Sequence, residues 1–352
     1  MRTKDKWPLL AYLLGSLCFA ALGIGQERPR TVERQGPTVA QDPAEEVVRV
    51  NTRAVFIDTL VKDKRAGEPV EGLTREDFEV LDNGRPRLIS YFSREGGGDK
   101  RPLALLLVLA PLDDGARKSL QAPEVVSSLA SALDKLPPED EVALMLVWRH
   151  GTKHLLTDLT RDRAKVTAAL AALPKRDDDK INTRPPKVIQ DAALEIAAQR
   201  PGSQTRVVLV TDSVFLISDA ERDEMIRSLI RANVTFNALI TGTDPFFAAF
   251  SPLLKPAEDD LGVRWYDVPQ YWARQTGGDY VRVRKKKDYG SALEKLIGSL
   301  VARYSLGFTL GEDELDDGQM HRLEVRVKAR DSQGRERKVE VSARQGYYMP
   351  TR

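Results

Sequence analysis

The chain has 352 residues, enough for two domains with cores of their own. Apolar residues make up 41% and charged residues 30%, a composition that excludes a wholly disordered, collagen-like or multi-span membrane protein. Lys and Arg total 54 against 52 Asp and Glu, and the surplus of +2 lies in Arg2, Lys4 and Lys6 less Asp5, so the chain from residue 26 onward is near neutral and is not built to wrap nucleic acid.

Residues 1–6 are basic, residues 7–24 are almost continuously apolar, and Ala21, Gly23 and Gly25 offer small side chains for cleavage before Gln26. Residues 1–25 therefore read as a secretory signal peptide. The apolar run is close to the roughly 20 residues of a spanning helix, so an uncleaved anchor, and membrane attachment through it, stays open as the alternative. Either way the remainder is expected to be secreted, periplasmic or associated with the cell envelope. Cys18 is the sole cysteine and follows Leu17, which is too large for a lipid-attachment site. The chain beyond the signal thus lacks disulfides, thiol nucleophiles and Cys zinc sites. Residues 26–46, rich in Gln, Pro, Arg and Glu without periodicity, read as a flexible linker.

The fold is expected to start near Val47. Residues 47–61 are dominated by β-branched and aromatic side chains, and strands at 78–81 and 88–92 flank the turn signal Asp82, Asn83, Gly84. Gly96, Gly97 and Gly98 then punctuate the chain. From Pro102 the pattern changes: residues 103–109 are unbroken apolar, the mark of a strand buried on both faces of a parallel sheet. Pro123 opens a helix with Val126, Leu129, Ala130 and Leu133 on one face. A second buried strand covers 142–148, a short edge strand 154–157, and Thr160 is expected to cap a helix carrying Val166, Ala169, Leu170 and Leu173. After the acidic loop at 177–180, Pro185 and Pro186 start a helix over 188–198, and residues 206–210 form a third buried strand. Ser218 and Glu221 have capping-box spacing for a helix burying Met225, Ile226, Leu229 and Ile230. Strands at 234–240 and 280–283 follow, and Asp288 is expected to cap a helix with Leu293, Leu296, Ile297, Leu300 and Val301 inward.

Strands alternating with helices predict a doubly wound α/β domain over residues 99–303 with a mostly parallel sheet. Beyond it Leu323, Val325, Val327 and Ala329 alternate with Glu324, Arg326 and Lys328, a return to β structure. Neither β block, 47–98 or 304–352, has enough strands to bury a core alone. The two are expected to pair into one discontinuous β-sandwich with the α/β domain inserted between them.

The order of elements, the phrase VVLVTD at 207–212 and the pair Gly277, Gly278 before a strand resemble a von Willebrand factor type A domain. The flanking phrases GLTREDFEVLDNGRPRLISYF at 72–92, LEVRVKAR at 323–330 and ARQGYYMP at 343–350 resemble the bacterial, acidobacterial VWFA-related domain family, and the resemblance covers the chain from Val47 onward. It implies a Rossmann-like fold and, characteristically, a divalent cation held at the carboxyl ends of the strands by a DxSxS motif, a later threonine and a later aspartate. Laid on that pattern, Ala110 stands at the aspartate position, Leu112 and Asp114 at the serines and Lys187 near the threonine, and only Asp212 matches. The expectation is a vestigial site with no metal and no other cofactor. Asp113, Asp114 and Asp212 holding a cation in a non-standard way is the alternative.

The three histidines, His150, His154 and His321, are too few and too scattered for a zinc site, Ser213 lacks the GxSxG surroundings of a nucleophile, and no phosphate-binding glycine loop is present. No enzymatic activity is expected. The basic cluster Arg282, Arg284, Lys285, Lys286 and Lys287 reads as a solvated strand end, with docking of an acidic partner as the alternative. The apolar segment FFAAFSPLL at 246–254 lies in a long connection, and Phe246, Phe247, Phe250, Leu253 and Leu254 are the candidates for contacting a protein partner, of unknown identity, in the envelope or outside the cell. The expected function is that of an exported non-enzymatic interaction or adhesion module.

Overall fold

The computed structural model describes residues 53–94, 101–111, 114–148, 151–175, 184–212, 216–241, 257–258, 264–330 and 333–349. The signal and linker expected over residues 1–46 lie outside them.

The strand Leu103–Ala110 is the centre of the molecule, and alternation of its side chains decides both layers. Leu103, Leu105, Leu107 and Leu109 point to one face, where the helices Pro123–Asp134, Arg163–Ala171 and Tyr289–Val301 cover them. Ala104, Leu106, Val108 and Ala110 point to the other, under Pro185–Gln199, Asp219–Arg231 and Val268–Thr276. A strand covered on both faces has no polar side, which is why its sequence is a continuous apolar run. The sheet runs Tyr280–Val283, Thr235–Thr241, Gln204–Thr211, Leu103–Ala110, Glu141–Val147, Lys153–Thr160; all neighbours are parallel except the last pair. This is the doubly wound, Rossmann-like order, with its reversal between Leu103–Ala110 and Gln204–Thr211.

Strands from the two β blocks pair with each other. One antiparallel sheet runs Val339–Ser342, Ala54–Asp63, Tyr304–Thr309, Tyr91–Ser93, and a second runs Gly346–Tyr348, Met320–Val327, Phe78–Asp82, Arg85–Arg87. Ile57, Val80, Leu306, Phe308 and Tyr347, drawn from both sheets, share one buried cluster. Asn83 and Gly84 close the Phe78–Asp82 hairpin with φ of 48° and 80°, the two left-handed residues that a two-residue turn requires.

Several boundaries differ from the sequence reading. In place of the single strand expected at 88–92 there are two short ones: Arg85–Arg87 belongs to one small sheet and Tyr91–Ser93 to the other, with Leu88 at 88% exposure in the crossing. The helix after Pro123 buries Val125, Leu129, Ala132 and Leu133 rather than Val126 and Ala130. Asp162, not Thr160, caps Arg163–Ala171, its side chain accepting from the Lys165 amide at 3.0 Å, and the edge strand is longer than expected, Lys153–Thr160. Asp288 precedes Tyr289–Val301 without a side-chain capping bond.

The small sheets meet the α/β layers at the amino ends of the parallel strands, and Asn51–Arg352 packs as one unit. Asp58 on Ala54–Asp63 receives Arg206 Nη2 at 3.4 Å and the Ser305 hydroxyl at 2.8 Å, and both charged side chains are at least nine-tenths buried. Gln204 joins the two crossings between the layers: its amide donates to the Pro102 carbonyl at 2.8 Å and its side chain to Ser305 at 3.2 Å. Lys62 pairs with Asp279 at 2.8 Å, and the Arg303 guanidinium donates to the Gly277 carbonyl at 2.8 Å. Gly277 is at φ +78°, and a Cβ there would fall 2.3 Å from the Arg344 amide nitrogen, so this turn is glycine because another backbone crosses it.

Gly277→Ala should therefore cost about 3 kcal/mol, combining left-handed strain with a backbone collision, and lower the melting temperature by roughly 6–10 °C. A calorimetric shift of less than a degree would show that the crossing yields freely.

Burial pushes the Asp58 carboxyl up, but the guanidiniums of Arg206 and Arg101, the Ser305 hydroxyl and Arg303 outweigh it and hold it below the ordinary 3.8. A depressed carboxylate stabilises the fold above its unfolded value and loses that contribution as pH falls through its folded value. Asp58→Asn should destabilise the protein by about 3–5 kcal/mol at pH 7, because Arg206 stays buried without its counter-charge, and should flatten the loss of stability below pH 3.8. Urea denaturation at a series of pH values measures both, and an acid limb as steep as that of the parent would refute the assignment.

Candidate functional site

Open α/β sheets bind ligands outside the carboxyl ends of the strands, at the reversal of strand order. Here that rim is formed by Ala110 and Pro111 on one side and Thr211 and Asp212 on the other. The Thr211 hydroxyl donates to the Ala110 carbonyl at 2.7 Å, and the Thr241 hydroxyl to the Thr211 carbonyl at 3.4 Å, so the strand ends are tied to one another by their own side chains. Ala110 is 3% exposed, its methyl part of the core beneath the rim.

Asp114, its carboxylate half exposed, opens the helix Asp114–Leu120. Its carboxylate accepts from Arg117 Nε at 3.0 Å, and Arg117, 4% exposed, also donates to the Gln121 side chain at 2.7 Å and to the Leu173 carbonyl at 3.2 Å. The hydrogen bond from Arg117, with Lys118 and Lys175 adding to it against slight burial, holds the Asp114 carboxyl below its ordinary range. Lys187 is half exposed on Pro185–Gln199 and pairs with Asp191, one turn on, at 2.6 Å. Asp212 lies beside Tyr289, the first residue of Tyr289–Val301: burial pushes the Tyr289 phenol up, the Asp212 carboxylate pushes it further, and a hydrogen bond with Thr241 opposes them.

The described rim thus sets Asp212, Thr241 and Tyr289 together and draws Asp114 away to Arg117. Thr241 and Tyr289 were missed in the sequence, where the only signal was an aromatic residue at the start of a helix. Leu112, Asp113, Phe246, Phe247, Phe250, Leu253 and Leu254 lie outside the described residues, as do His150 and Ser213. Among the described residues no three His, Cys, Asp or Glu side chains converge. Arg284, Lys285, Lys286 and Lys287 are exposed on the approach to Tyr289–Val301, while Arg282 donates to the Tyr280 hydroxyl at 2.8 Å.

The C-terminal phrase fastens the small sheets to the α/β layers. Arg344 donates to the Asn233 side chain at 2.6 Å, the Tyr347 hydroxyl donates to Asp82 at 3.0 Å, and the Tyr348 ring lies under Arg227 and Arg231, with centroid distances of 5.6 and 5.0 Å.

No protein-family model and no curated protein matches the sequence. Solved structures similar to it include a von Willebrand factor type A protein from Catenulispora acidiphila, 11% identical over 84% of this chain and 75% of that one, with a TM-score of 0.40. An aerotolerance-related membrane protein from Bacteroides fragilis is 14% identical over 55% of this chain and 98% of that one, with a TM-score of 0.36. The VWA domain of SpRpn10 is 15% identical over 54% and 93%, with a TM-score of 0.35. The fold assignment rests on the strand order of this chain: a Rossmann-like α/β protein with a mostly parallel six-stranded sheet between two helical layers. Among the described residues no helix is long and apolar enough to cross a membrane.

Removing the partner of Asp114 tests this geometry. In Arg117→Gln the Asp114 carboxyl should return toward its ordinary range, read from the carboxyl carbon shift in an NMR pH titration. An unchanged titration would mean that something other than Arg117 holds it.

Proposed function

We propose that the chain is an exported, non-enzymatic protein-interaction or adhesion module of the von Willebrand factor A type, whose rim has lost the cation of its relatives. The observation that carries the reading is the pairing of Asp114 with a buried arginine at 3.0 Å, beside Ala110 where a carboxylate would be needed. A hard cation takes about six oxygens, and Asp212 alone would leave most of that shell to water. The partner is a protein in the envelope or outside the cell, contacted through the loop bearing Phe246, Phe247, Phe250, Leu253 and Leu254. Its apolar side chains in a long connection are the feature that supports a contact surface.

A melting scan with millimolar magnesium, manganese or EDTA should give the same midpoint to within about a degree, because a ligand that binds only the folded state must raise its stability. Stabilisation by magnesium that is abolished in Asp212→Ala would replace this reading with a metal-dependent one built on Asp113, Asp114 and Asp212.

A further inference from the structure

At the end of the sheet opposite the rim, the strand Ala54–Asp63 is paired on both edges for only part of its length. Residues 54–59 pair with Tyr304–Thr309 on one side, whereas among the described residues the other edge is covered only at residues 60–63, by Val339–Ser342. The Leu310 amide donates to the Arg53 carbonyl at 2.9 Å, which fixes the phase of the ladder: the backbone groups of odd-numbered residues face Tyr304–Thr309, and those of Ala54 and Phe56 face outward. Against this open edge lies a cleft of about 320 Å³, closed on its far side by Arg231, Asn233, Arg344 and Tyr348.

Among the described residues, the cleft is lined by positive charge without an acid. None of those that line it is Asp or Glu, and among the described residues neither Arg231 nor Arg344 makes a salt bridge, the buried Asp58 acting on Arg344 only from beyond hydrogen-bond reach. Arg344 spends one guanidinium nitrogen on Asn233, and its Nε is buried without a hydrogen-bond partner. Burial, and repulsion by Arg101 against the attraction of Asp58, hold its pKa at about 10, so it is cationic at neutral pH. Arg101 lies over the Phe56 ring at 4.7 Å and adds to the same field, its Nη2 also buried without a partner.

An open strand edge accepts an extended chain through backbone hydrogen bonds, and flanking side chains then select among sequences. We propose that this cleft binds an extended acidic peptide segment of a partner protein, which adds as a strand beside Ala54 and Phe56 and sets a glutamate or aspartate carboxylate against Arg231 and Arg344. The site is separate from the rim and does not depend on how the rim is read.

The probe is a fluorescent pool of pentapeptides with Glu at the second and fourth positions and Val, Ile, Thr or Tyr elsewhere, measured by anisotropy on the chain from residue 26 onward. A matched pool with Gln in place of Glu is the control. The Glu pool should bind at least tenfold more tightly than the Gln pool, and backbone N-methylation at alternate residues should abolish binding. Arg231→Gln should weaken the Glu pool at least tenfold while lowering the melting temperature by no more than a few degrees, the loss of its contact with the Tyr348 ring, and Phe246→Ser should have no effect. Equal binding of the two pools, or no binding by either at millimolar concentration, would overturn the proposal. Binding that survives N-methylation, or that inorganic phosphate displaces at a concentration similar to the peptide's own, would reduce the cleft to a general anion site and also overturn it.

Discussion

The arrangement of the molecule depends on the buried pair of Asp58 and Arg206. One partner stands on the first small-sheet strand and the other on a central strand of the α/β layer, so the two halves can meet only in the register that brings the charges together. A buried ion pair gains little in net stability over an apolar one, but breaking it is expensive, and that asymmetry favours one geometry over its neighbours. The Ser305 hydroxyl and the Gln204 side chain complete the pair's surroundings; Ser305 lies where the chain passes from one half to the other, and Gln204 hydrogen-bonds to both crossings, at Pro102 and at Ser305. Connectivity and electrostatics are fixed at the same place.

From that anchor the remaining contacts follow in order. Lys62 reaches Asp279 in the turn before Tyr280–Val283, and Gly277 allows the strand leading to Arg344 to cross within backbone distance. Arg344 can then reach Asn233, at φ +54° just after the Asp219–Arg231 helix. Asparagine tolerates that left-handed conformation, and its side-chain oxygen is the acceptor that Arg344 uses. The rim at the other end of the strands takes no part in this chain of contacts. Ala110 contributes a methyl to the core, and Asp114 serves a neighbouring arginine.

The sequence was most legible where one interaction sets the pattern. The apolar run at Leu103–Ala110 and the Asn83, Gly84 turn needed no tertiary knowledge, since burial on both faces and two left-handed residues each leave a direct mark. Val125 in place of Val126 was not readable, because the buried stripe of Pro123–Asp134 is set by the close approach of Tyr289–Val301: a Cβ on Gly290 would lie 2.5 Å from the Ser128 hydroxyl. The fate of Asp114 was equally hidden. Its partner Arg117 is held by the carbonyl of Leu173, distant in sequence, and nothing local shows that an arginine there is buried. The carboxylate that Arg206 meets, on a strand nearly 150 residues earlier, left no local mark either.

The adjacency of the two crossings at Gln204 makes the α/β region resemble a cassette that could be lifted out and closed on itself. The arginines argue otherwise. Excision would leave Arg206 and Arg303 on a newly bared face with their field no longer balanced by Asp58, and would leave Asp279 without Lys62. The inserted region is thus continuous in space but not autonomous in charge. Evolution can exchange the loops of its rim at little cost, whereas transfer to another scaffold requires carrying a carboxylate along with it.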